Sequence, residues 1–413
     1  MKVMFSAGEA SGDTHAASVA GALKTLYPEV TMLGMGGSRM AAAGVNIVYD
    51  IKQLGYIGIV EIVKALPSFF KLRAYLKDIM MREKPDVLVC VDYPGFNMKL
   101  AKVAHDLGIP VVYYIAPTIW AWHRSRGKDI AKTVTKVASI FPFEAAAYRE
   151  FGVDVEFVGN PLVDIVKPTM TKAEAMTYFH MDPDTKRVLL MPGSRKQEVL
   201  GLLDRMLKGA EIVMQKHSNL AFYLPRAHTI DKEELEAIVT NYKVPVTITE
   251  DHTYDLMQSC DVCLAASGTA TLETALMGLP TILLYRLSPV TFMLGKLLVN
   301  LTYVGLPNIV AGREVIPELL QGQVTPVNIA KELTSLLEDS VRRNTMIDDL
   351  HAVKEALGGE GAVKRVAQVV ANVAGAANSS NYGDTDSANI SAPDGDIDHA
   401  KVSVDESTPG DAN

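Results

Sequence analysis

Cysteine is scarce in this chain. Only Cys90, Cys260 and Cys263 occur among 413 residues, too few for a disulfide framework. The pair at 260 and 263 spells Cys-Asp-Val-Cys, but a zinc site needs two further ligands and no second pair stands nearby. The three are read as small apolar residues in or beside buried strands. Long apolar runs are missing too. No stretch approaches the ~18–20 residues that span a bilayer, and MKVMFSAGEASGD opens with too short an apolar run for a secretory h-region. The chain is therefore expected in the cytoplasm. Nor is there a basic excess: 40 Lys and Arg stand against 48 Asp and Glu, a net charge of −8. Seven Asp, one Glu and one Lys fall after residue 374, so the body is close to neutral. It lacks the concentrated basic footprint of a nucleic-acid partner. GMGGSRMAAAG misses the third glycine of the dinucleotide fingerprint. Asp-x-Asp triplets, which can hold a divalent metal, occur only in a turn (Asp182–Asp184) and in the acidic end. No metal site and no cofactor are expected.

What the chain does have is an alternation of strands and helices. KVMFSAG, TMLGMGG, NIVYD, DVLVCVD, PVVYYIAP, SIFPF and VEFVGNP read as strands, several of them continuously apolar, as parallel strands covered on both faces are. The pattern pauses over KPTMTKAEAMTYFHMDPDTK and restarts with RVLLMPGS, LAFYLPRA, VPVTIT, VCLAASG and PTILLYR. The fold class is α/β, with two doubly wound Rossmann-like domains facing a central cleft. The expected division is a first domain over 1–165, a linker over 166–185, a second domain over 186–345 and helices over 346–374. The polar, acidic stretch 375–413 is poor in large apolar residues and is expected to be disordered.

Several loops carry chemistry. FSAGEASGDTHAA has the layout of a phosphate-cradling glycine loop at a helix N-terminus, yet Glu9 and Asp13 would repel an anion. In LAASGTATLETALMGLP, Ser267, Gly268 and Thr269 form a turn into a helix, a seat for an anion. Glu273, one turn on, could accept from ribose hydroxyls. The same residues would equally serve as an ordinary N-cap with a capping Glu. In LLMPGSRKQEV, Arg195 follows a strand and could neutralise a departing diphosphate. In VCVDYPGFN, Asp92 ends a buried strand, where an acid is costly unless partnered or used, so a general base is the reading. YYIAPTIWAWHRSRGK sets Trp120 and Trp122 before His123, Arg124, Arg126 and Lys128, a run that could bind a phosphorylated or sugar-like ligand or simply open a helix. Composition leaves YVGLPNIVAGREVIPELLQ unexplained.

Together, SAGEASGD, YYIAPTIWAW, FPFE, PGSRKQEV, ASGTATLE, YRLSPVTF and YVGLPNIVAGREVIPELLQ resemble the lipid-A-disaccharide synthase family, in the family's order, from about Lys2 to Gln321. The resemblance implies an inverting glycosyltransferase of GT-B architecture. It would condense UDP-2,3-diacylglucosamine with 2,3-diacylglucosamine 1-phosphate (lipid X), giving the β-(1→6) disaccharide 1-phosphate and UDP at the cytoplasmic face of the inner membrane. It places UDP on Ser194, Arg195, Ser267, Gly268, Thr269, Glu273 and Asn308. The acceptor side would be Gly8, Ser11, Gly12, Asp13 and Trp122, with Asp92, Glu9 and Arg195 catalytic. Asp92 is the first choice of base, with Glu9 orienting the acceptor or standing second. No metal is implied if Arg195 and a helix N-terminus supply the positive charge. VDYPGFN departs from the D-x-P-D-F-N form of many members, so Gly95 receives no role, and the acidic tail has no counterpart.

Acylated substrates lie in a membrane, and IGIVEIVKALPSFFKLRAYLKDIMMREK offers a contact. Ile59, Ile62, Val63 and Leu66 share one helical face, Pro67 is expected to interrupt, and Phe69, Leu72, Leu76 and Ile79 form another. Phe70, Tyr75, Met80 and Met81 add apolar surface among six Lys and Arg. Ile62, Leu66, Phe69, Phe70 and Leu72 are the expected contacts with the phospholipid surface. Two helices packed on the sheet would look the same. A homodimer is compatible with this reading. The rival readings are another UDP-sugar transferase or epimerase of GT-B architecture acting on a soluble substrate, and a non-catalytic lipid- or nucleotide-binding protein.

Overall fold

The structure is a computed structural model. It describes residues 1–54, 59–287, 292 and 302–379, with backbone only at 59–67, 197 and 377–379. The described residues form two parallel sheets. The first comprises β1 (Lys2–Ala7), β2 (Thr31–Gly36), β3 (Asn46–Asp50), β4 (Val87–Val91), β5 (Val111–Tyr114), β6 (Lys136–Ser139) and β7 (Val155–Phe157), in the order β3-β2-β1-β4-β5-β6-β7. The second comprises β8 (Lys186–Met191), β9 (Leu220–Pro225), β10 (Val246–Thr249), β11 (Val262–Ala266), β12 (Thr281–Tyr285) and β13 (Glu318–Leu320), in the order β10-β9-β8-β11-β12-β13.

The central strands show why a continuous apolar run becomes a parallel strand. All five residues of β4 are buried. Leu88 and Cys90 face a core shared with Leu72, Leu76 and Leu100, while Val87, Val89 and Val91 face a second core with Val19, Val366 and Val370. With both faces covered, there is no polar face to leave an alternation in the sequence.

The chain passes between the sheets twice. Val163 and Val166 already lie in the second domain's core, as do Met346, Leu350 and Val353 of the helix Ser340–Ala356. The last helix, Ala362–Ser379, returns to pack on the first sheet through Val366, Val370 and Val373. The two crossings are bonded together. Asn160 N donates to Leu357 O at 2.9 Å, and the Asp164 carboxylate accepts from Gly361 N at 2.6 Å and Ala362 N at 3.0 Å. Gly159 and Gly358 are both left-handed, and a Cβ on Gly358 would lie 3.2 Å from Gly159 Cα, so a side chain would force the crossings apart. The final helix runs on to Ser379, beyond the expected start of the tail, and 380–413 lie outside the described residues.

Pro67 does not interrupt as expected. One helix runs unbroken from Ile59 to Glu83.

Candidate active site

In an open doubly wound sheet the crevice forms at the carboxyl ends of the strands where the order reverses. The first sheet reverses between β1 and β4, the second between β8 and β11. These two places gather the residues that the sequence singles out.

At the first, β1 delivers Gly8 and Glu9, and β4 delivers Asp92 and Tyr93. Glu9 has its carboxyl pushed above the usual range, first by desolvation and then by the charge of Asp92. His15, on the helix Ala10–Leu26, belongs to the same cluster. Burial lowers its pKa while Asp92 opposes the shift, and its ring stands edge-on to Tyr114 with centroids 6.2 Å apart. Tyr93 is pushed up by burial, then by Glu9 and Tyr49. Asp92 thus acts on both Glu9 and His15, and Glu9 on Tyr93, so titratable groups gather at this reversal. Nothing in the sequence marks His15 beyond its place seven residues after Gly8.

Asp13, expected on the acceptor side, has its carboxylate engaged by protein backbone. It is buried, and its Oδ1 accepts from Gly37 N at 2.7 Å and Met40 N at 3.2 Å, while Oδ2 accepts from Arg39 N at 3.1 Å. It caps the short helix Ser38–Ala42, whose own N-cap, Gly37, has no side chain to do so. The glycines also make room for protein rather than ligand. A Cβ on Gly8 would fall 2.1 Å from the Tyr93 ring, and one on Gly12 would touch Ala7 Cβ and Val91 O at 3.4 Å. Ser11 is exposed on the helix's first turn. Trp122 is partly exposed after β5, with the Arg126 guanidinium 5.2 Å from its ring. Gly95 is exposed with open space about it, so an acid there would meet no obstacle.

At the second reversal, β8 leads through Gly193 and Ser194 to Arg195, the N-cap of the helix Lys196–Met214. β11 leads through Ser267 to Gly268, the N-cap of the helix Thr269–Leu276. Gly193 (φ 114°) and Gly268 (φ 149°) take backbone angles that favour glycine. Neither helix has a side-chain cap on its first backbone N–H groups, which leaves N–H groups at both strand ends of the kind that bind an anion. Arg195 is exposed and forms an ion pair with Glu198 at 2.9 Å. Glu273 is half-buried, accepts from Tyr254 Oη at 3.3 Å, and is pushed up mainly by burial. Beside it all lies a cavity of about 410 Å³ lined by Glu198, Leu202, Arg205, Ser267, Leu284 and Arg286, among others.

Asn308 is not free to meet a nucleotide. It is fully buried, its Nδ2 donates to Ile316 O and Glu318 Oε1, and its Oδ1 accepts from Val315 N and Ile316 N. With Glu318, which also accepts from Val304 N and Gly305 N, it pins the turn that leads into β13. That bonding accounts for Asn308 and Glu318 in YVGLPNIVAGREVIPELLQ, while Arg313 pairs with Asp349 at 2.6 Å.

The expected membrane face also changes. Leu72 is 4 % exposed and lies in the core with Leu76, Ile79 and Met80, while Phe69 packs on that core against Phe96. Leu72 cannot face lipid without unpacking the helix, and Phe69 is only partly exposed. Phe70, Tyr75 and Met81 are the exposed apolar side chains, with Arg73 over the Phe70 ring. The side chains of Ile62 and Leu66 lie outside the described residues. Among the described residues no helix is long and apolar enough to cross a membrane.

One titratable residue had no sequence signal beyond its place in FPFE. Glu144 is buried, accepts from Ser139 Oγ at 2.9 Å, and burial pushes its carboxyl up to about 7.

Comparison with known proteins agrees with this geometry. The model of the family described as lipid-A-disaccharide synthetase matches residues 3–373. The chain is 41% identical over 369 residues to the lipid-A-disaccharide synthase of Trichlorobacter lovleyi, covering 89% of this chain and 96% of that one. It is 40% identical over 374 residues to that of Geobacter metallireducens, covering 91% and 97%. Among solved structures, a UDP-GlcNAc 2-epimerase from Neisseria meningitidis bound to UDP-GlcNAc is similar with a TM-score of 0.60 at 14% identity, covering 90% of this chain and all of that one. A glycosyltransferase from Rickettsia africae gives 0.57 at 10%, covering 90% and 98%. These likenesses show the fold, two Rossmann-like domains of GT-B architecture.

Proposed function

The chain belongs to the lipid-A-disaccharide synthetase family and is a disaccharide-forming glycosyltransferase, and from that premise we propose which substrates it joins and which residues join them. The donor is UDP-2,3-diacylglucosamine and the acceptor 2,3-diacylglucosamine 1-phosphate. The observation that carries this reading is the division of chemistry between the two strand-order reversals. Carboxylates gather at one, and a guanidinium with two uncapped helix N-termini gathers at the other.

Inversion needs a base on one side of the sugar carbon and a device for the leaving group on the other. Asp92 takes the proton of the acceptor 6-hydroxyl as its oxygen attacks C1 of the donor. The bond from C1 to the diphosphate oxygen breaks, and UDP leaves with its charge met by Arg195 and the N–H groups after Gly268. Glu9 orients the acceptor. Ser194, Ser267 and Thr269 bind the diphosphate, and Glu273 accepts from the ribose. Since positive charge is supplied by protein groups, the step runs without a metal.

The protein meets its acylated substrates as a peripheral protein on the cytoplasmic face of the inner membrane. Phe70, Tyr75 and Met81 insert while Lys71, Arg73, Lys77 and Arg82 meet anionic headgroups. The test is incubation of the purified chain with both diacylated substrates and detection of the disaccharide 1-phosphate by mass spectrometry. Turnover of UDP-N-acetylglucosamine alone, with none of the acylated pair, would replace this reading with a soluble-substrate enzyme.

A further inference from the structure

We propose that Asn97 is a positioning residue for the reaction, holding the Asp92–Tyr93 turn in the one conformation that presents the Asp92 carboxylate to the crevice. This rests on the reading of Asp92 as the base. Asn97 is fully buried in the first turn of the helix Pro94–Asp106. Its Nδ2 donates to Asp92 O at 2.8 Å, Ser6 O at 3.0 Å and Val91 O at 3.3 Å, and its Oδ1 accepts from Ser6 Oγ at 2.6 Å. One side chain therefore ties together the ends of β1 and β4, the two strands that flank the crevice. From β5, Tyr113 Oη adds a second donor to Asp92 O at 3.1 Å. The carbonyl of the residue that carries the carboxylate is thus gripped from two elements.

The backbone explains why a grip is needed. Asp92 (φ 51°) and Tyr93 (φ 52°) are consecutive left-handed residues, and neither is glycine. Such a pair is strained and persists only where its surroundings over-determine it. A turn that served only to connect a strand to a helix could use glycine here without strain. This chain instead keeps a carboxylate at the first position and an aromatic ring, packed on Gly8, at the second. Relaxation of either residue toward the extended region would redirect the Cα–Cβ bond of Asp92 and carry its carboxylate away from the acceptor. A base acts only within hydrogen-bond reach of its proton, and a misplacement of about 1 Å can cost on the order of 10²-fold in rate. UDP, held by the other sheet, would not register the change.

The experiment is a double-mutant cycle on the full chain. Turnover, KM for each substrate and UDP affinity are measured for Asp92→Asn, Asn97→Ala and Tyr113→Phe, and for the latter two combined with Asp92→Asn. Asn97→Ala is expected to lower kcat about 10–100-fold and Tyr113→Phe about 3–10-fold, with UDP affinity unchanged. In the Asp92→Asn background, neither should lower kcat further, since both act through the carboxylate already removed. A purely structural role would instead lower kcat alike in both backgrounds, and that result overturns the proposal. So does wild-type kcat in a folded Asn97→Ala. Should Asn97→Ala not fold, Tyr113→Phe decides on the same criteria, because it removes only a hydroxyl. If Asp92→Asn itself keeps most of the turnover, the assignment of the base fails and the positioning role falls with it. Loss in Asp92→Asn with wild-type rates in the other two variants overturns the positioning role alone.

Discussion

Asp13 Oδ1 accepts from Gly37 N at 2.7 Å, and this bond ties the helix after β1 to the turn after β2. With Met40 N and Arg39 N on the same carboxylate, the residue satisfies three backbone donors that have no other cap. Asp13→Ala would leave them unpaired at a buried position, at a cost of about 2–4 kcal/mol. Urea denaturation should show that loss, while the folded fraction keeps UDP affinity. Wild-type stability with a raised acceptor KM would return Asp13 to the acceptor side.

This pair also marks where sequence reading ends. Eleven of the strands from β1 to β12 were legible because apolar runs between turns have few other uses. The exception is β6 (Lys136–Ser139), since SIFPF shares only Ser139 with it and its Pro142 opens a helix. β13 was not legible either, since its three residues are only half-buried and sit among polar neighbours. The positions of Glu9, Asp92, Arg195 and Ser267 to Thr269 at the strand ends followed from the alternation itself. The bonding of Asp13 and Asn308 was illegible for one reason. Their partners, backbone groups 24 to 27 residues away for Asp13 and backbone groups together with Glu318 for Asn308, meet them only in the folded chain. The burial of Leu72 was illegible for another. An amphipathic pattern gives a helix two faces but does not say which one meets the sheet.

That last point separates core from membrane contact by mutation. Serine at Phe70, Tyr75 and Met81 together should leave the fold intact and release the protein from vesicles of anionic phospholipid, because exposed apolar area supplies much of interfacial affinity. Leu72→Ser should instead destabilise by about 2–5 kcal/mol, as removal of a buried leucine does. Flotation with vesicles and thermal denaturation read the two effects. Full vesicle binding by the triple variant would end the proposed contact.

Glu144 gives a dependence of stability on pH. Burial raises its carboxyl to about 7, whereas in the unfolded chain it titrates near ~4.3. Between those values the native state holds a proton that the unfolded state has lost, so stability falls as pH rises through the window. The loss is fully present above about 7 and amounts to about 4 kcal/mol. Glu144→Gln keeps an oxygen for Ser139 Oγ and has nothing to titrate. The variant should therefore match the wild type near pH 4.5 and exceed it in stability at pH 8. Denaturation curves at the two pH values check this, and an equal pH dependence in both proteins would mean that Glu144 is solvated.

Arg195 provides the sharpest test of the donor side, because the structure shows it already engaged. Its Nη1 lies 2.9 Å from Glu198 Oε1, on an exposed pair three residues apart. Exposed pairs of this kind are weak, about 0–1 kcal/mol, and a diphosphate carries more charge than one carboxylate. The guanidinium should therefore leave Glu198 for UDP at little cost. Two substitutions then move in opposite directions. Arg195→Ala removes a charge-stabilising group and should lower turnover about 10²–10³-fold, with weaker UDP binding. Glu198→Gln removes the competitor and the like charge facing the diphosphate, and should tighten UDP by a few-fold, by about the small free energy of the lost pair. Isothermal titration with UDP in both variants, alongside turnover, measures the two effects. Unchanged UDP affinity and rate in Arg195→Ala would remove Arg195 from the site. Weaker UDP binding in Glu198→Gln would show instead that Glu198 holds the guanidinium in place for the diphosphate.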